Sequence, residues 1–192
     1  MSEAFEIHRH VTATKFVIAG GFGVGKTTFV GAISEIDPLR TEAAMTTVAR
    51  DVDDRSAVES KSTTTVAMDF GRLTVDDSLV MYLFGAPGQD RFRFMWDDLV
   101  TGALGAVVLV DTRRLSDCFA SVDYFERRQV PFVVGVNRFP DSAYHGLADV
   151  AAALGIGPDV PIMDCDARSR ASARDVLLVL LEMLAARLVP AR

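Results

Sequence analysis

The residues from Gly20 to Thr28, GGFGVGKTT, have the composition and spacing of a phosphate-binding loop. Glycines let the backbone curl until successive N–H groups point at phosphate oxygens. Lys26 would bring a mobile positive charge to the terminal phosphates, and the Thr27 hydroxyl would bind magnesium. We therefore predict nucleotide contacts from Gly21, Phe22, Gly23, Val24, Gly25, Lys26, Thr27 and Thr28.

The segments on either side of this loop can position it. Thr14 to Ala19 is apolar and β-branched, which is typical of a buried strand, and Thr28 to Ser34 has the pattern of a helix start. A helix N-terminus directly after the loop would add its partial positive charge to the anion site. A glycine-rich turn that matches the pattern by chance is the alternative, and the strand–loop–helix context argues against it.

A second turn, from Gly85 to Gln89, follows another strand-like segment. The Gly88 N–H would sense a terminal phosphate, and Gln89 would orient an attacking water. Taken alone, these residues would be a tight turn before a helix. The phosphate loop upstream favours the catalytic interpretation, with Gln89 and Lys26 as candidate catalytic residues.

Composition excludes several classes of protein. The chain has 192 residues, 49% hydrophobic and 24% charged, which predicts one globular domain over 1–192. Its net charge of −6 argues against non-specific nucleic-acid binding. Cys118 and Cys165 are far apart in sequence, so free thiols in a reducing compartment are expected, and the acidic N-terminus lacks a secretory pattern. We expect a cytoplasmic protein.

Short buried strands alternate with helical segments after the phosphate loop. This alternation predicts a three-layer α/β fold with a mostly parallel sheet and one antiparallel edge strand, in which 63–70 and 78–84 form a hairpin. Ligands of such sheets bind beyond the carboxyl ends of the strands. The loops that follow strands are those at 20–27, 85–90, 111–114, 137–141 and 164–168.

Two segments fall outside this alternation. Residues 1–12 are predicted to be an N-terminal extension. Residues 37–62 are polar and weakly periodic, which predicts a long loop. This loop is either an idle surface insertion or a mobile switch that leads into Thr63-Thr64-Thr65.

Several motifs together resemble those of Ras-like small GTPases. GQDRFRFMW is similar to the second switch of the Rab branch, and TVAMDF is similar to the end of the first switch. A closer resemblance, to actinobacterial conservon GTPases related to MglA-type switches, covers the chain from about Thr14 onward. It rests on the combination TTTVAMDFGR, LFGAPGQDRF, VLVDTRR, VNRFPD and CDAR.

The resemblance implies a P-loop GTPase that binds GTP or GDP with Mg²⁺, hydrolyses GTP slowly and changes two switch loops. It implies that Thr65 joins Thr27 at the magnesium ion and acts in catalysis. It places the base between Asn137, Arg138 and Asp141 on one side and Asp166, Ala167 and Arg168 on the other, with the Ala167 N–H donating to the guanine carbonyl. It also implies a roadblock-domain partner, and indirect membrane recruitment through a sensor-kinase-like partner.

The chain departs from the family pattern at both ends of the expected nucleotide. Gly85 stands where Ras-like proteins carry an aspartate that holds magnesium through water, and neither Asp69 nor Asp111 is an obvious substitute. We therefore expect either weaker magnesium binding or a different residue in the place of this aspartate. The base motif has Pro140 where an aspartate is usual, with Asp141 one residue late. Unless Pro140 turns Asp141 toward the guanine edge, guanine preference should be weak and adenine nucleotides become plausible.

The segment after the second turn suggests two further roles. Phe92, Phe94, Met95 and Trp96 cannot all face one side of a helix, so at least one should be exposed as a docking anchor. An arginine supplied within the chain could neutralise charge during hydrolysis. The candidates are Arg50, Arg55, Arg91, Arg93 and Arg113.

Three functions therefore stay open. The first is a GTP-hydrolysing switch, which Gln89 favours. The second is a nucleotide-holding interaction module with little turnover, which Gly85 and Pro140 favour. The third is a small-molecule kinase, which Gln89 and Thr65 make less suitable.

Overall fold

The computed structural model describes residues 11–37, 39–47 and 62–188. Seven strands and five helices make up these ranges, with two short 3₁₀ turns at Asp90–Met95 and Thr112–Arg114. In chain order they are β1 (Thr12–Gly20), α1 (Lys26–Ile33), β2 (Leu39–Thr47), β3 (Ser62–Asp76), β4 (Leu79–Gly85), α2 (Trp96–Val100), β5 (Gly105–Val110), α3 (Ser116–Arg127), β6 (Phe132–Asn137), α4 (Leu147–Leu154), β7 (Ile162–Cys165) and α5 (Arg170–Leu188). Within these ranges we find no helix with the length and hydropathy to cross a bilayer.

The strands form one sheet in the order β2-β3-β4-β1-β5-β6-β7. All neighbours from β4 to β7 are parallel, whereas β3 is antiparallel to both β2 and β4. The predicted three-layer, mostly parallel α/β fold and its hairpin are therefore confirmed. The reversed strand β3 lies one position inside the edge, because β2 pairs along its outer side.

Strand β2 corrects the prediction of a loop over 37–62. Residues 39–47 pair with β3 from Leu39 opposite Phe70 to Thr47 opposite Ser62. Threonine is polar, so the segment resembles a loop in composition, but it is also β-branched and favours strands. Residues 48–61 of the predicted loop, and 1–10 of the predicted N-terminal extension, lie outside the described residues.

Helices cover both faces of the sheet and divide the core in two. On β1, Phe16 and Ile18 pack toward α1 and α5, whereas Val17 and Ala19 pack toward α2, α3 and α4. Successive residues of a strand point to opposite faces, so a strand buried on both sides is apolar throughout. This burial holds the carboxyl end of β1 at Gly20, where the phosphate loop begins.

Helix α2 fixes the segment that follows the second turn. Trp96 is buried against Tyr124 and Phe125, and its Nε1–H donates to the Pro87 carbonyl at 3.2 Å. Phe92 is buried as well, whereas Phe94 is 60% exposed. The prediction that at least one aromatic of this cluster is exposed is confirmed.

Candidate functional site

The phosphate loop connects β1 to α1, and the Asn137 side chain packs closely against its backbone. Gly25 has φ 106°, a left-handed conformation, and a Cβ there would lie 2.8 Å from Nδ2 of Asn137. Only glycine fits this position without strain. The first residue of α1 is Lys26, so the unpaired N–H groups of the helix begin at the loop.

Lys26 lies folded against the loop that precedes it. Its Nζ donates to the carbonyls of Gly20 at 3.0 Å and Gly21 at 2.7 Å, and the residue is 9% exposed. Desolvation lowers the pKa of Lys26 to about 8, against the opposing effect of Cys118 and Asp69. A buried ammonium with a lowered pKa gains stability when an anion arrives beside it.

Asp69 occupies the space that a side chain at Gly85 would need. The two residues are opposite each other on β3 and β4, and a Cβ at Gly85 would lie 3.1 Å from Asp69 Oδ2. The same oxygen accepts a hydrogen bond from the Thr27 hydroxyl at 2.5 Å. Asp69 was not an obvious substitute for the missing aspartate in the sequence, but the adjacent strand brings its carboxylate to Thr27.

A cavity of about 440 Å³ opens above these groups, and we call it the phosphate cavity. It is lined by Phe22, Gly23, Gly25, Lys26, Thr27, Thr28, Asp69, Ala86, Pro87 and Gly88. Arg114, at the end of the 3₁₀ turn after β5, donates from Nη2 to the Phe22 carbonyl at 2.7 Å and so holds the phosphate loop. Sequence analysis missed Arg114, which lies outside the phosphate-loop pattern, and set Asp69 aside.

The second turn closes one wall of the phosphate cavity. A Cβ at Gly88 would lie 2.5 Å from Nζ of Lys26 and 2.9 Å from the Gly21 carbonyl. The side chain of Gln89 is held away by a neighbour, because its Oε1 accepts a hydrogen bond from Arg91 Nε at 2.9 Å. Gly88 thus lies against the phosphate loop, whereas the Gln89 side chain is hydrogen-bonded to Arg91.

Thr65 lies in β3, paired with Ala44 of β2, and its side chain is outside the described part of the structure. It precedes Asp69 by four residues, which is about 13 Å along an extended strand. In this conformation the backbone of Thr65 belongs to the sheet, and its contact with magnesium stays a prediction.

A second cavity, of about 240 Å³, continues from the first, and we call it the base cavity. The two share Gly23, Gly25 and Thr28. The remaining lining residues are Asn137, Arg138, Phe139, Ala167 and Arg168. All of them come from the two loops in which the sequence places base contacts, after β6 and β7.

Asn137 joins the phosphate loop to the loop after β7. It is buried, its Nδ2 donates to the Val24 carbonyl at 2.9 Å, and its Oδ1 accepts from the Ala167 N–H at 3.0 Å. The Ala167 N–H, predicted to meet the base, is therefore used by Asn137 here. Two buried backbone groups depend on this single side chain.

The arginines of the base cavity are each paired with an aspartate. Arg138 donates from Nε to Asp164 at 2.7 Å and from Nη2 to the His145 carbonyl at 2.9 Å. Its Nη1 is buried without a hydrogen-bond partner in the described structure. Arg168 and Asp166 form an exposed pair through Nε at 2.9 Å, and this hydrogen bond lowers the pKa of Asp166.

Asp141 lies outside the base cavity. Its side chain is 77% exposed and accepts from Arg113 Nη1 at 3.2 Å. Arg113 also binds both carboxylate oxygens of Asp111 and lies over the Phe139 ring at 3.8 Å. Burial raises the pKa of Asp111, but the hydrogen bonds and the charge of Arg113 together outweigh it, so the pKa of Asp111 is lowered from its ordinary value.

Comparison with known proteins agrees with this geometry. Residues 18–186 match the family ATP_bind_1, described as conserved hypothetical ATP binding protein. The chain belongs to this family. It is 29% identical over 126 residues to the uncharacterized protein MJ1339 of Methanocaldococcus jannaschii, an alignment that covers 65% of this chain and 69% of that protein.

A solved structure supports the fold. The chain is similar to the cytosolic domain of the T. maritima FeoB iron transporter in a GDP form, with a TM-score of 0.63 and 13% sequence identity. The likeness covers 91% of this chain, and the chain spans 64% of the FeoB chain. It shows that the chain has a P-loop GTPase fold, and the family to which the chain belongs is described as ATP-binding. The closer resemblance to conservon GTPases stays a prediction.

Proposed function

We propose that this protein is a nucleotide-operated molecular switch that hydrolyses a nucleoside triphosphate slowly. The observation that carries the proposal is how closely Gly88 approaches the phosphate loop. A Cβ added at Gly88 would lie 2.5 Å from Lys26 Nζ and 2.9 Å from the Gly21 carbonyl. A second chain segment thus stands against the residues that would grip the terminal phosphate. A terminal phosphate must displace the turn that contains Gly88 or bind to it. The position of this turn would then depend on whether the terminal phosphate is present.

Magnesium fits the donors at this site. Thr27 and Asp69 present a hydroxyl and a carboxylate side by side, the hard oxygen ligands that Mg²⁺ prefers. No group of three metal-binding side chains occurs among the described residues, which suits an ion that uses few protein ligands together with phosphates and water. When bound, Mg²⁺ would neutralise charge on the phosphates.

The proposed role of Asp69 in magnesium binding can be tested by exchanging it with Gly85, its partner on β4. The Asp69→Gly variant should need about tenfold more Mg²⁺ for half-maximal retention of a labelled triphosphate, because one carboxylate ligand is lost. The double variant D69G/G85D returns a carboxylate to the same space. It should lower the Mg²⁺ requirement most of the way back to that of the unmodified protein. Equal Mg²⁺ requirements in all three proteins would contradict the assignment of Asp69. Asp149→Asn, on exposed α4, serves as the control.

Slow hydrolysis is expected because Gln89 is held by Arg91. A glutamine that orients water must point its amide into the cavity, and here its Oε1 is engaged. Single-turnover hydrolysis of GTP and ATP should be slow in the unmodified protein and at least tenfold slower in Gln89→Ala. Arg91→Ala should leave the rate unchanged or raise it.

The Arg91 variant also separates the alternatives. If Arg91 were an internal arginine finger, its removal would lower the rate by about 10³-fold. If the protein were a nucleotide-holding module, it would retain triphosphate without turnover, and Gln89→Ala would change nothing. The engaged Gln89 is the observation that favours this second candidate.

We also propose a protein partner that reads the nucleotide state at the exposed Phe94. Phe94 lies six residues after Gly88, so movement of the turn would alter its surroundings. A roadblock-domain partner, and membrane recruitment through a sensor-kinase-like protein, are supported by the sequence resemblance. Nucleotide-dependent capture of a roadblock protein, lost in Phe94→Ser, is the expected result.

A further inference from the structure

We propose that Arg113 determines base specificity by holding the Asp141 carboxylate away from the base cavity, so that the site accepts purine nucleotides with little preference for guanine. This inference rests on the proposed nucleotide-binding function and concerns what the same site recognises. It rests on three observations: where Asp141 lies, what fixes Arg113, and what lines the cavity.

Guanine differs from adenine in its hydrogen-bonding edge. Guanine presents two neighbouring N–H donors, the ring N1–H and the amino group on C2, from which one carboxylate can accept together, whereas adenine has no such pair. A guanine-reading site therefore needs a carboxylate that faces the base edge. The base cavity has none among its described lining residues, which are glycines, Thr28, Asn137, Arg138, Phe139, Ala167 and Arg168.

Asp141 is the acidic residue that follows Phe139 most closely in the sequence, and its side chain pairs with Arg113 outside the base cavity. Pro140 separates it from Phe139, and its Oδ2 accepts from Arg113 Nη1 at 3.2 Å. Asp164 and Asp166 are occupied as well, by Arg138 and Arg168. Each of these three carboxylates therefore has a guanidinium partner.

Arg113 is held rigidly enough to act as an anchor. Its Nε and Nη2 donate to Asp111 at 3.0 and 2.9 Å, and the Asp111 side chain is 3% exposed. Its guanidinium lies over the Phe139 ring at 3.8 Å. Because these contacts fix the guanidinium before Asp141 arrives, little side-chain entropy is lost when the exposed pair forms.

Phe139 links this anchor to the base cavity. One side of the residue contacts Arg113, and the residue also lines the cavity. Rings and guanidinium groups stack on any purine, since every base has a π face. The cavity thus offers stacking surfaces, whereas the group that could distinguish guanine is held outside it.

The experiment measures affinities for GTP, ATP and xanthosine triphosphate, as non-hydrolysable analogues, in four full-length proteins. These are the unmodified chain, Asp141→Asn, Arg113→Ala and the double variant. In the unmodified protein GTP and ATP should bind within about tenfold of each other, and Asp141→Asn should change neither affinity by more than about twofold.

Removal of Arg113 should release Asp141. The ratio of GTP to ATP affinity should then rise about tenfold in Arg113→Ala. In the double variant that gain should disappear, and xanthosine triphosphate should gain affinity, because an amide can donate to the C2 carbonyl of xanthine. Arg113→Lys, which keeps a charge beside Asp111 but loses the planar fork, provides a second test if the alanine variant unfolds.

Two results would overturn the inference alone. One is a loss of GTP affinity of tenfold or more, or a switch to xanthosine triphosphate, in Asp141→Asn by itself. The other is an unchanged GTP-to-ATP ratio in both folded Arg113 variants. If the unmodified protein bound no triphosphate, the proposed nucleotide-binding function would fail as well.

Discussion

The two cavities of the site differ in how their charged groups are used. In the phosphate cavity, Lys26 is buried with a pKa lowered to about 8, and among the described residues its ammonium donates to the carbonyl oxygens of Gly20 and Gly21. In the base cavity, Arg138 and Arg168 are each paired with an aspartate. An unneutralised charge attracts a ligand, whereas a neutralised one mainly shapes a wall. We infer that binding energy resides chiefly at the phosphate end.

The largest expected effect is that of removing the buried charge. Lys26→Ala should weaken binding of a triphosphate by about 100-fold, or ~3 kcal/mol, because a buried charge-assisted contact is lost. Equilibrium titration with a fluorescent nucleotide measures this. The matched control is Lys15→Ala, on β1 five residues before Gly20, where Nζ donates to the Thr101 carbonyl. Similar losses in the two variants would contradict the assignment of Lys26.

Asn137 joins the two cavities, so its removal should affect the whole fold. Asn137→Ala leaves the Val24 carbonyl and the Ala167 N–H without their partner and should lower the free energy of unfolding by about 2 kcal/mol or more. Urea denaturation without nucleotide measures this. Ser142→Ala, which removes a local bond to the Phe139 carbonyl, should cost less than about 1 kcal/mol. If the two variants were equally stable, Asn137 would not be the link between the loops.

The smallest expected effect is the pH dependence of triphosphate affinity, which should come from Lys26 in the phosphate cavity. Lys26 has a pKa of about 8 in the empty site, and phosphate should raise it, so binding above pH 8 takes up a proton. Triphosphate affinity should therefore fall about fivefold between pH 8 and 9. Calorimetry in two buffers of different ionisation enthalpy would detect the uptake. An affinity that is flat over this range would show that Lys26 stays charged in the empty protein.

The stability of the empty protein should respond to pH in the opposite direction. The pKa of Lys26 is lowered on folding from its ordinary 10.5, so between pH about 8 and 10.5 the unfolded chain binds more protons. The contribution of Lys26 to stability therefore rises with pH through this window. In Lys26→Met this contribution should vanish, which urea denaturation at pH 8 and 10 would measure.

Much of this arrangement could be predicted from local sequence. The phosphate loop is contiguous, and its glycines, Lys26 and Thr27 act through backbone geometry that a short motif specifies. The alternation of buried strands with helices likewise placed the loops at one edge of the sheet. Asn137 was found through the resemblance of VNRFPD to the base motif of small GTPases, and the structure places it at the end of β6.

The missed features depend on contacts between strands and loops distant in sequence. Asp69 reaches Thr27 only because β3 runs antiparallel to β4 and sets it opposite Gly85. Sequence spacing cannot reveal that one strand supplies the carboxylate that its neighbour lacks. Similarly, Asp141 is drawn away from the base cavity by Arg113, 28 residues earlier in the chain.

The central claim is that the phosphate end of the nucleotide carries recognition. Its most direct test is displacement of a fluorescent GDP analogue by inorganic tripolyphosphate with Mg²⁺, in parallel with guanosine. We expect tripolyphosphate to displace the analogue at micromolar to low-millimolar concentration, and guanosine to leave it bound over the same range. Displacement by guanosine but not by tripolyphosphate would contradict the account.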